Sequence, residues 1–298
     1  MMGTGMRLGI RIGRRLKIPV VSFYHTNYLQ YLNDYKELSW LRRFTHSWSD
    51  SLLSWLQNSY LMTLTSSSAT KEYLEGLKIT NICYKPFIGI NVARFMAKPR
   101  SPVDKKCIKL LYVGRLTADK RIEFLLKVFS AFEERSPGRC SFTVIGEGYL
   151  APLVQAWAEG HENRHFPGAV PNETIAACYA ASDVFVTVSP WETLGITVME
   201  AMASHLPIIA PLEGGIREMV RDGVDGILMP SATNIGDYVL AVKSLADNHE
   251  RRRQMGEAAA ARVEHFTIEA TTQRIINTWD EAIAIYRSHS TSLPVSKA

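Results

Sequence analysis

From residue 108 to residue 229, short apolar runs alternate with longer amphipathic stretches, and this alternation constrains the fold more than any other feature. Strands and helices that alternate at this spacing are typical of an α/β domain with a doubly wound parallel sheet. The predicted strands are 108–113, 141–145, 183–188, 207–210 and 226–229. The predicted helices between them are 122–134, 150–159, 174–181, 195–203 and 216–221.

The regions on either side of this alternation predict a second, smaller α/β part. Before it come a helix at 6–16, strands at 20–24 and 60–65 and a weaker strand at 81–85. An apolar stripe at helical spacing, Leu38 to Trp55, either packs on the protein itself or lies at a lipid surface. A linker at 98–106 follows. The predicted units are 1–98, 103–272, a C-terminal helix at 273–288 that packs back on the N-terminal part, and a tail at 289–298.

Composition limits the classes of function. The chain has 298 residues, a formal net charge of +5 and four separated cysteines, which predict reduced packing residues and not a disulfide frame or metal site. No apolar run approaches the roughly 20 residues that a membrane span needs. We expect a cytoplasmic protein that binds no nucleic acid. The basic N-terminal residues leave open a contact with the inner face of the cell membrane.

Charged residues at the predicted strand ends are the first candidates for a site, because ligands of such sheets bind beyond the carboxyl ends of the strands. Gly114 allows a sharp turn after the strand at 108–113, and Arg115 and Lys120 follow it. An Arg fork and a mobile Lys charge suit the oxygens of a diphosphate. The alternative is a turn whose cations are simply solvated.

Two glutamates with seven residues between them follow the strand at 183–188. Glu192 lies in a loop and Glu200 on the next helix, so their carboxylates are separated by up to roughly 12 Å along that axis. That separation suits the two ends of one extended ligand, with the amides of 193–196 pointing at phosphates between them. The alternative for Glu200 is a structural ion pair.

The combined motifs resemble the group 1, family-4 glycosyltransferases of the GT-B fold, over about residues 18–287. That fold has two doubly wound halves, and here it implies one complete donor-binding domain and a partial acceptor-side domain at 1–98. One position departs from the family pattern, since Asn91 stands where the family usually has Asp. The matching residues are Gly114, Arg115, Leu116, Lys120, Gly146, Glu147, Gly148, Ala181, Asp183, Val184, Ser189, Glu192, Gly195, Glu200, Gly214, Gly215, Glu218, Asp222, Gly223, Gly226, Pro86, Gly89 and Phe95.

The resemblance implies a retaining transfer of a hexose from a UDP- or GDP-sugar to an acceptor hydroxyl, without a metal or other cofactor. It implies that Arg115 and Lys120 hold the diphosphate, Glu192 the transferred sugar and Glu200 the ribose. His25, which closes a strand of the acceptor domain, is implied to face the donor sugar; residues 24–28 are most similar to branches with lipid acceptors. The implied catalytic residues are His25, Arg115, Lys120 and Glu192, and the implied donor-binding residues are Gly114, Arg115, Lys120, Glu192, Thr193, Leu194, Gly195, Ile196 and Glu200.

The N-terminal part departs from the resemblance, because it supplies about three strands where the family has more. We expect an N-terminally truncated chain and weigh three explanations: a misassigned start, a split gene and a degenerate relative. The first is preferred. Alternatives to an active transferase are a binding fragment or subunit that needs a partner chain, and an epimerase, for which no acid–base pair is evident.

Overall fold

A computed structural model describes residues 2–24, 42–96, 107–190, 192, 195–230 and 234–291. The chain divides into two compact units, one of residues 1–88 with 269–298 and the other of residues 89–268. Each unit is an α/β structure built on a parallel sheet. The predicted fold class, a GT-B-like α/β architecture, is confirmed.

The larger unit contains a six-stranded parallel sheet in the order β6-β5-β4-β7-β8-β9. The reversal of strand order between β4 and β7 creates the switch point at which doubly wound sheets bind ligands. The strands are β4 (Ile108–Val113), β5 (Cys140–Ile145), β6 (Arg164–Gly168), β7 (Val184–Val186), β8 (Ile208–Pro211) and β9 (Gly226–Met229). The helices are α4 (Val92–Phe95), α5 (Ile122–Arg135), α6 (Ala151–Ala158), α7 (Asn172–Ala181), α8 (Ile196–Ala203), α9 (Ile216–Met219), α10 (Ile235–Ala246) and α11 (His249–Val263).

Apolar burial explains why these elements form and where they pack. Strand β4 reads as a nearly continuous apolar run because both of its faces are covered by helices. Helix α5 buries a stripe that runs from Ile122 to Phe132 against this sheet. The ring of Phe129 stacks on that of Phe142 with centroids 4.8 Å apart. This packing fixes the strand ends on which the candidate site is built.

Strand β6 is absent from the sequence-based prediction, and its composition explains why. Its sequence, Arg164–Gly168, contains Pro167 and side chains that alternate between half-buried and exposed. It forms an edge of the sheet, where a proline and polar groups are tolerated and an apolar signal is weak. Between α10 and α11 the chain breaks at Asn248, whose side chain caps α11 by accepting from the Arg251 amide at 2.9 Å.

The smaller unit has a three-stranded parallel sheet in the order β1-β2-β3. Its last helix packs on this sheet, with Ala282 among Met62, Leu64 and Phe87. Lys85, which follows β3, forms an ion pair of 2.8 Å with Glu281 of that helix. The elements are α1 (Met2–Leu16), β1 (Val21–Phe23), α2 (Arg42–Asn58), β2 (Met62–Thr65), α3 (Ser68–Gly76), β3 (Ile82–Tyr84) and α12 (Ile268–Thr291).

Within the described ranges, none of the helices combines the length and the apolar character required to cross a bilayer.

Candidate active site

The loop that follows β4 is held against the loop that follows β5 by direct backbone contacts. The amide of Leu116 donates to the carbonyl of Glu147 at 2.8 Å, and the amide of Gly114 donates to that of Ile145 at 3.0 Å. A β-carbon on Gly146 would lie 1.9 Å from the Gly114 oxygen, and one on Gly148 would lie 2.4 Å from the Leu116 oxygen. Only glycine permits this approach, so the Gly-Glu-Gly turn positions the loop that carries Arg115 and Lys120.

Lys120 and Glu192 come together at the carboxyl ends of neighbouring strands β4 and β7. The Nζ of Lys120 lies 2.5 Å from Oε1 of Glu192 and 3.4 Å from Oγ of Ser189. The two charged side chains are only 11% and 19% exposed. A lysine and a glutamate held this far from water each offset the cost of burying the other's charge.

The backbone of Glu192 is fixed by the turn that follows β8. The amide of Gly215 donates to the Glu192 carbonyl at 2.6 Å. Gly214 has φ +60, and a β-carbon there would lie 2.6 Å from the same carbonyl oxygen. The Gly-Gly pair therefore allows the turn to pack directly on the glutamate loop.

Arg115 lies on the more exposed side of the loop. Its Nη2 donates to Oδ2 of Asp119 at 2.9 Å, and the hydroxyl of Thr117 donates to Oδ1 of the same carboxylate. The aspartate orients the guanidinium while about half of the arginine side chain stays accessible. An oriented and accessible guanidinium is suited to an anionic ligand.

Glu200 forms a second polar centre on α8. The hydroxyl of Tyr179 donates to Oε2 of Glu200 at 2.8 Å. Burial raises the pKa of Glu200, although the tyrosine hydrogen bond and the charge of Arg94 oppose that rise. The Arg94 guanidinium donates to Oδ1 of Asn172 at 3.0 Å. A partly buried carboxylate that accepts from a neutral hydroxyl is suited to accept further hydrogen bonds from a ligand.

Tyr112, near the end of β4, supports the loop that carries Arg115. Its hydroxyl donates to the Arg115 carbonyl at 3.1 Å. Burial raises the pKa of Tyr112, and the negative charges of Glu192 and Asp119 raise it further. Tyr112 in turn contributes to the raised pKa of Tyr179, after burial and Glu200.

Some of the predicted site residues are described by the structure, and the others lie outside the described residues. Gly114, Arg115, Lys120, Glu192 and Glu200 occupy the strand-end loops and helix described above. Gly195 has φ +50 and accepts, at its carbonyl, the amides of Val198 and Met199, so α8 begins at Ile196. His25, Thr193 and Leu194 lie outside the described residues.

Sequence reasoning missed three residues of this site: Tyr179, Asp119 and Arg94. Tyr179 lies on α7, 21 residues from Glu200, and is entirely buried. A buried aromatic residue at helical spacing from Ile175 has the pattern of an ordinary core position. Asp119 had a detectable signal, because an acidic residue four positions after Arg115 suits a local ion pair.

Among the described residues, no group of three or more His, Cys, Asp or Glu side chains could hold a metal ion. The cationic side chains Arg115 and Lys120 supply positive charge beside the loop that carries Glu192. Cationic side chains suit phosphate oxygens, and carboxylates suit hydroxyl groups.

Fold and geometry together define the class, a GT-B-like α/β protein with a polar site at the switch point of its sheet. Residues 94–262 match the family described as glycosyl transferases group 1. Because this match covers more than half of the 298 residues, the chain belongs to the group 1 glycosyl transferases.

Similar proteins support this assignment. The chain is 29% identical over 283 residues to sulfoquinovosyl transferase SQD2 of Arabidopsis thaliana, which covers 90% of the chain and 53% of that protein. It is 27% identical to a GDP-mannose-dependent alpha-mannosyltransferase of Corynebacterium glutamicum, covering 91% and 64%. It is 24% identical to alpha-monoglucosyldiacylglycerol synthase of Acholeplasma laidlawii, covering 80% and 63%. The chain thus spans between half and two thirds of these relatives.

A solved structure shows the same fold. The Anabaena protein HepE, crystallised with UDP, has a TM-score of 0.74 and 16% sequence identity, and the match covers 93% of this chain and 76% of that chain. At this identity the likeness concerns the fold.

Proposed function

We propose that this protein is a retaining hexosyltransferase of family 4 that transfers a hexose from a UDP- or GDP-sugar to a hydroxyl of a lipid acceptor. The single observation that carries the proposal is the Lys120–Glu192 pair, with an N–O distance of 2.5 Å, at the switch point of the sheet. Such a pair places a cation for a phosphate beside a carboxylate for a sugar hydroxyl. The accessible guanidinium of Arg115 lies on the same loop as Lys120.

The roles follow from the chemistry of each end of the site. Arg115 and Lys120 bind the diphosphate and neutralise the charge that develops as the bond from the anomeric carbon to the phosphate oxygen breaks. Glu192 accepts hydrogen bonds from hydroxyls of the hexose, and Glu200 accepts them from the ribose. The amides of the first turn of α8, from Ile196, add a positive dipole near the phosphates. His25 is assigned to the sugar on the motif resemblance alone.

The acceptor is proposed from the relatives. One of the similar proteins, the alpha-monoglucosyldiacylglycerol synthase of Acholeplasma laidlawii, is named for a lipid product. Residues 24–28, Tyr-His-Thr-Asn-Tyr, are most similar to the branches with such acceptors. A lipid acceptor also implies that the protein works in contact with a membrane.

The proposal is tested by calorimetric titration of the purified chain with UDP and with GDP. We expect saturable binding of one of them, weakened about 10- to 100-fold in Arg115→Ala, because charge-assisted hydrogen bonds to a phosphate are lost. Arg135→Ala is the matched control, because Arg135 lies at the exposed end of α5, and it should bind like the wild type.

Transfer is then measured with the matching nucleotide hexose and a membrane lipid extract, and the anomeric configuration of the product is read by NMR. Retention requires the product to have the same configuration as the donor. Binding without transfer would identify a nucleotide-sugar-binding subunit that needs a partner chain. Failure of both nucleotides to bind would contradict the proposal altogether.

A further inference from the structure

The turn of residues 118–120 carries Lys120 into the site, and its two ends are fixed in different ways. It leads into Arg121, which has φ +51, a left-handed backbone conformation that residues with a side chain seldom adopt. The carbonyl of Arg121 accepts the amides of Phe124 and Leu125, so this end is held by the start of α5. A backbone in a rare conformation persists only where its surroundings fix it. The fixed point at the other end comes from outside the turn.

That fixed point is the hydroxyl of Tyr149, to which the amide of Ala118 donates at 2.7 Å. Thr117, at the N-terminal end of the turn, does not cap it, because its hydroxyl donates to Asp119 instead. The tyrosine reaches Ala118 from the loop that follows β5, 31 residues further along the chain. A side chain from another loop thus satisfies an amide at the start of the turn, as a capping residue would.

The backbone on both sides of Tyr149 is fixed against the loop that follows β4. A β-carbon on Gly148 would lie 2.4 Å from the carbonyl oxygen of Leu116, and the amide of Leu150 donates to that oxygen at 3.0 Å. These contacts hold the Tyr149 backbone in place. A tyrosine side chain has only two rotatable bonds before its ring, so its hydroxyl is a more rigid anchor than the end of a long flexible side chain.

The hydroxyl anchors the turn without adding a charge. Ala118 lies between Arg115 and Lys120, the two cations of the site. A carboxylate could accept from the same amide, but its negative charge would repel a phosphate held by these cations. From the anchored turn the Lys120 side chain extends to Glu192, with an N–O distance of 2.5 Å. An uncharged acceptor therefore fixes the turn without weakening its attraction for an anion.

We propose that Tyr149 is a positioning residue for the diphosphate of the donor, because its hydrogen bond with the Ala118 amide sets the place of the Lys120 ammonium. This inference rests on the proposed function, since it gives Tyr149 a part in the binding of the donor phosphates. The tyrosine acts through the lysine and needs no contact of its own with the ligand. Its effect on binding should therefore depend on the presence of Lys120.

The test is calorimetric titration of the whole purified chain with UDP and with GDP, extended to millimolar nucleotide for the weaker variants. Tyr149→Phe should weaken binding of the preferred nucleotide about five- to tenfold, because the turn loses the hydrogen bond that aligns Lys120. In the Lys120→Ala background the same substitution should weaken binding less than about twofold, because the group that it positions is absent. Tyr238→Phe is the matched control, since its buried hydroxyl has no hydrogen-bond partner among the described residues, and it should bind like the wild type.

The outcomes distinguish failure of the positioning role from failure of the proposed function. Binding of neither nucleotide by the wild type would overturn both. Wild-type affinity in Tyr149→Phe, together with the loss expected for Arg115→Ala, would overturn the positioning role and leave the donor site intact. An equal loss from Tyr149→Phe with and without Lys120 would give the tyrosine a role independent of the lysine, in stability or in direct contact with the ligand, and would also overturn the inference.

Discussion

Glu192 and Glu200, the two carboxylates of the site, differ in the group that compensates the burial of their negative charge. Glu192 lies 2.5 Å from the Lys120 ammonium, a full opposite charge. Glu200 instead accepts a neutral hydrogen bond from Tyr179, and burial raises its pKa. A full opposite charge offsets the cost of burying a carboxylate more strongly than a neutral hydroxyl does.

The difference indicates how the two centres respond to a ligand. If a diphosphate binds at Lys120, as proposed, it competes with Glu192 for the cation, and this end of the site rearranges. If ribose hydroxyls bind at Glu200, as proposed, they add donors beside the Tyr179 hydroxyl, and this end gains stabilisation without losing a partner. The comparison therefore predicts that the Lys120–Glu192 end of the site rearranges on ligand binding (the switching end), whereas the Glu200 end does not (the fixed end).

The largest effect is expected for Lys120→Ala. The substitution removes the proposed phosphate cation, and transfer should fall by about 10²- to 10³-fold, with weaker binding of nucleoside diphosphate. The rate of transfer and the calorimetric affinity are the measurements. Lys127→Ala on the exposed side of α5 is the matched control and should leave both unchanged.

A double substitution sharpens this result. If Lys120 serves only to neutralise Glu192, then Lys120→Ala/Glu192→Gln should bind nucleoside diphosphate as well as the wild type. If the lysine binds phosphate, most of the loss in affinity should persist in the double variant, and the coupling energy will be small compared with the loss. Complete recovery would remove Lys120 from the proposed donor site.

Glu192→Gln should separate the sugar from the nucleotide. Loss of the carboxylate should weaken binding of the nucleotide hexose about 10- to 30-fold relative to the nucleoside diphosphate. Affinity for the diphosphate itself should stay constant or rise, because a negative charge near the phosphates is removed and Lys120 is released. Equal losses for both ligands would place Glu192 at the nucleotide and not at the sugar.

Glu200→Gln should change the pH dependence of nucleotide binding. Burial raises the pKa of Glu200 above its ordinary value of 4.5, and ribose hydroxyls bind the ionised form. Affinity should therefore rise with pH through that raised pKa and become constant above it. The stability contributed by the protonated group runs the other way: it is present below 4.5 and is lost as pH rises through the raised pKa.

Calorimetry of UDP or GDP binding from about pH 5 to about pH 8 measures the effect. Glu200→Gln should give a flat profile with about tenfold weaker binding at the upper end. Glu173→Gln, at the exposed start of α7, should keep the wild-type profile. A pH profile that survives Glu200→Gln would show that another group titrates.

Apolar alternation was sufficient to predict the fold class and five of the six strands of the larger sheet. The sixth, β6, is an edge strand with a proline and polar residues, and edges carry little apolar signal. Charged residues at strand ends indicated Lys120 and Glu192 because neighbouring parallel strands bring their carboxyl ends together. Their roles as phosphate and sugar ligands remain predictions.

Contacts between residues that are far apart in the sequence could not be predicted from apolar alternation or from charges at strand ends. Gly146 was placed in a turn motif, but its necessity comes from the carbonyl of Gly114, 1.9 Å from where a β-carbon would stand. Tyr179 reaches Glu200 from another helix, and no local pattern distinguishes it from a core aromatic residue. Both depend on tertiary contacts that the spacing of one segment does not encode.

Tyr179→Phe should give the smallest effect and the sharpest test of the fixed end. The ring keeps its shape and burial, while Oε2 of Glu200 loses the donor at 2.8 Å. Because that hydrogen bond lowers the pKa of Glu200, its loss should move the pH dependence of nucleotide binding upward, with about three- to fivefold weaker binding near neutral pH. A tyrosine with only a packing role would leave the midpoint of the pH profile where it is. Tyr238→Phe is the matched control, because Tyr238 is a buried tyrosine of α10. Each substitution removes one phenolic hydroxyl, but only the Tyr179 hydroxyl donates to Glu200. The control should therefore alter neither the affinity nor the midpoint of the pH profile.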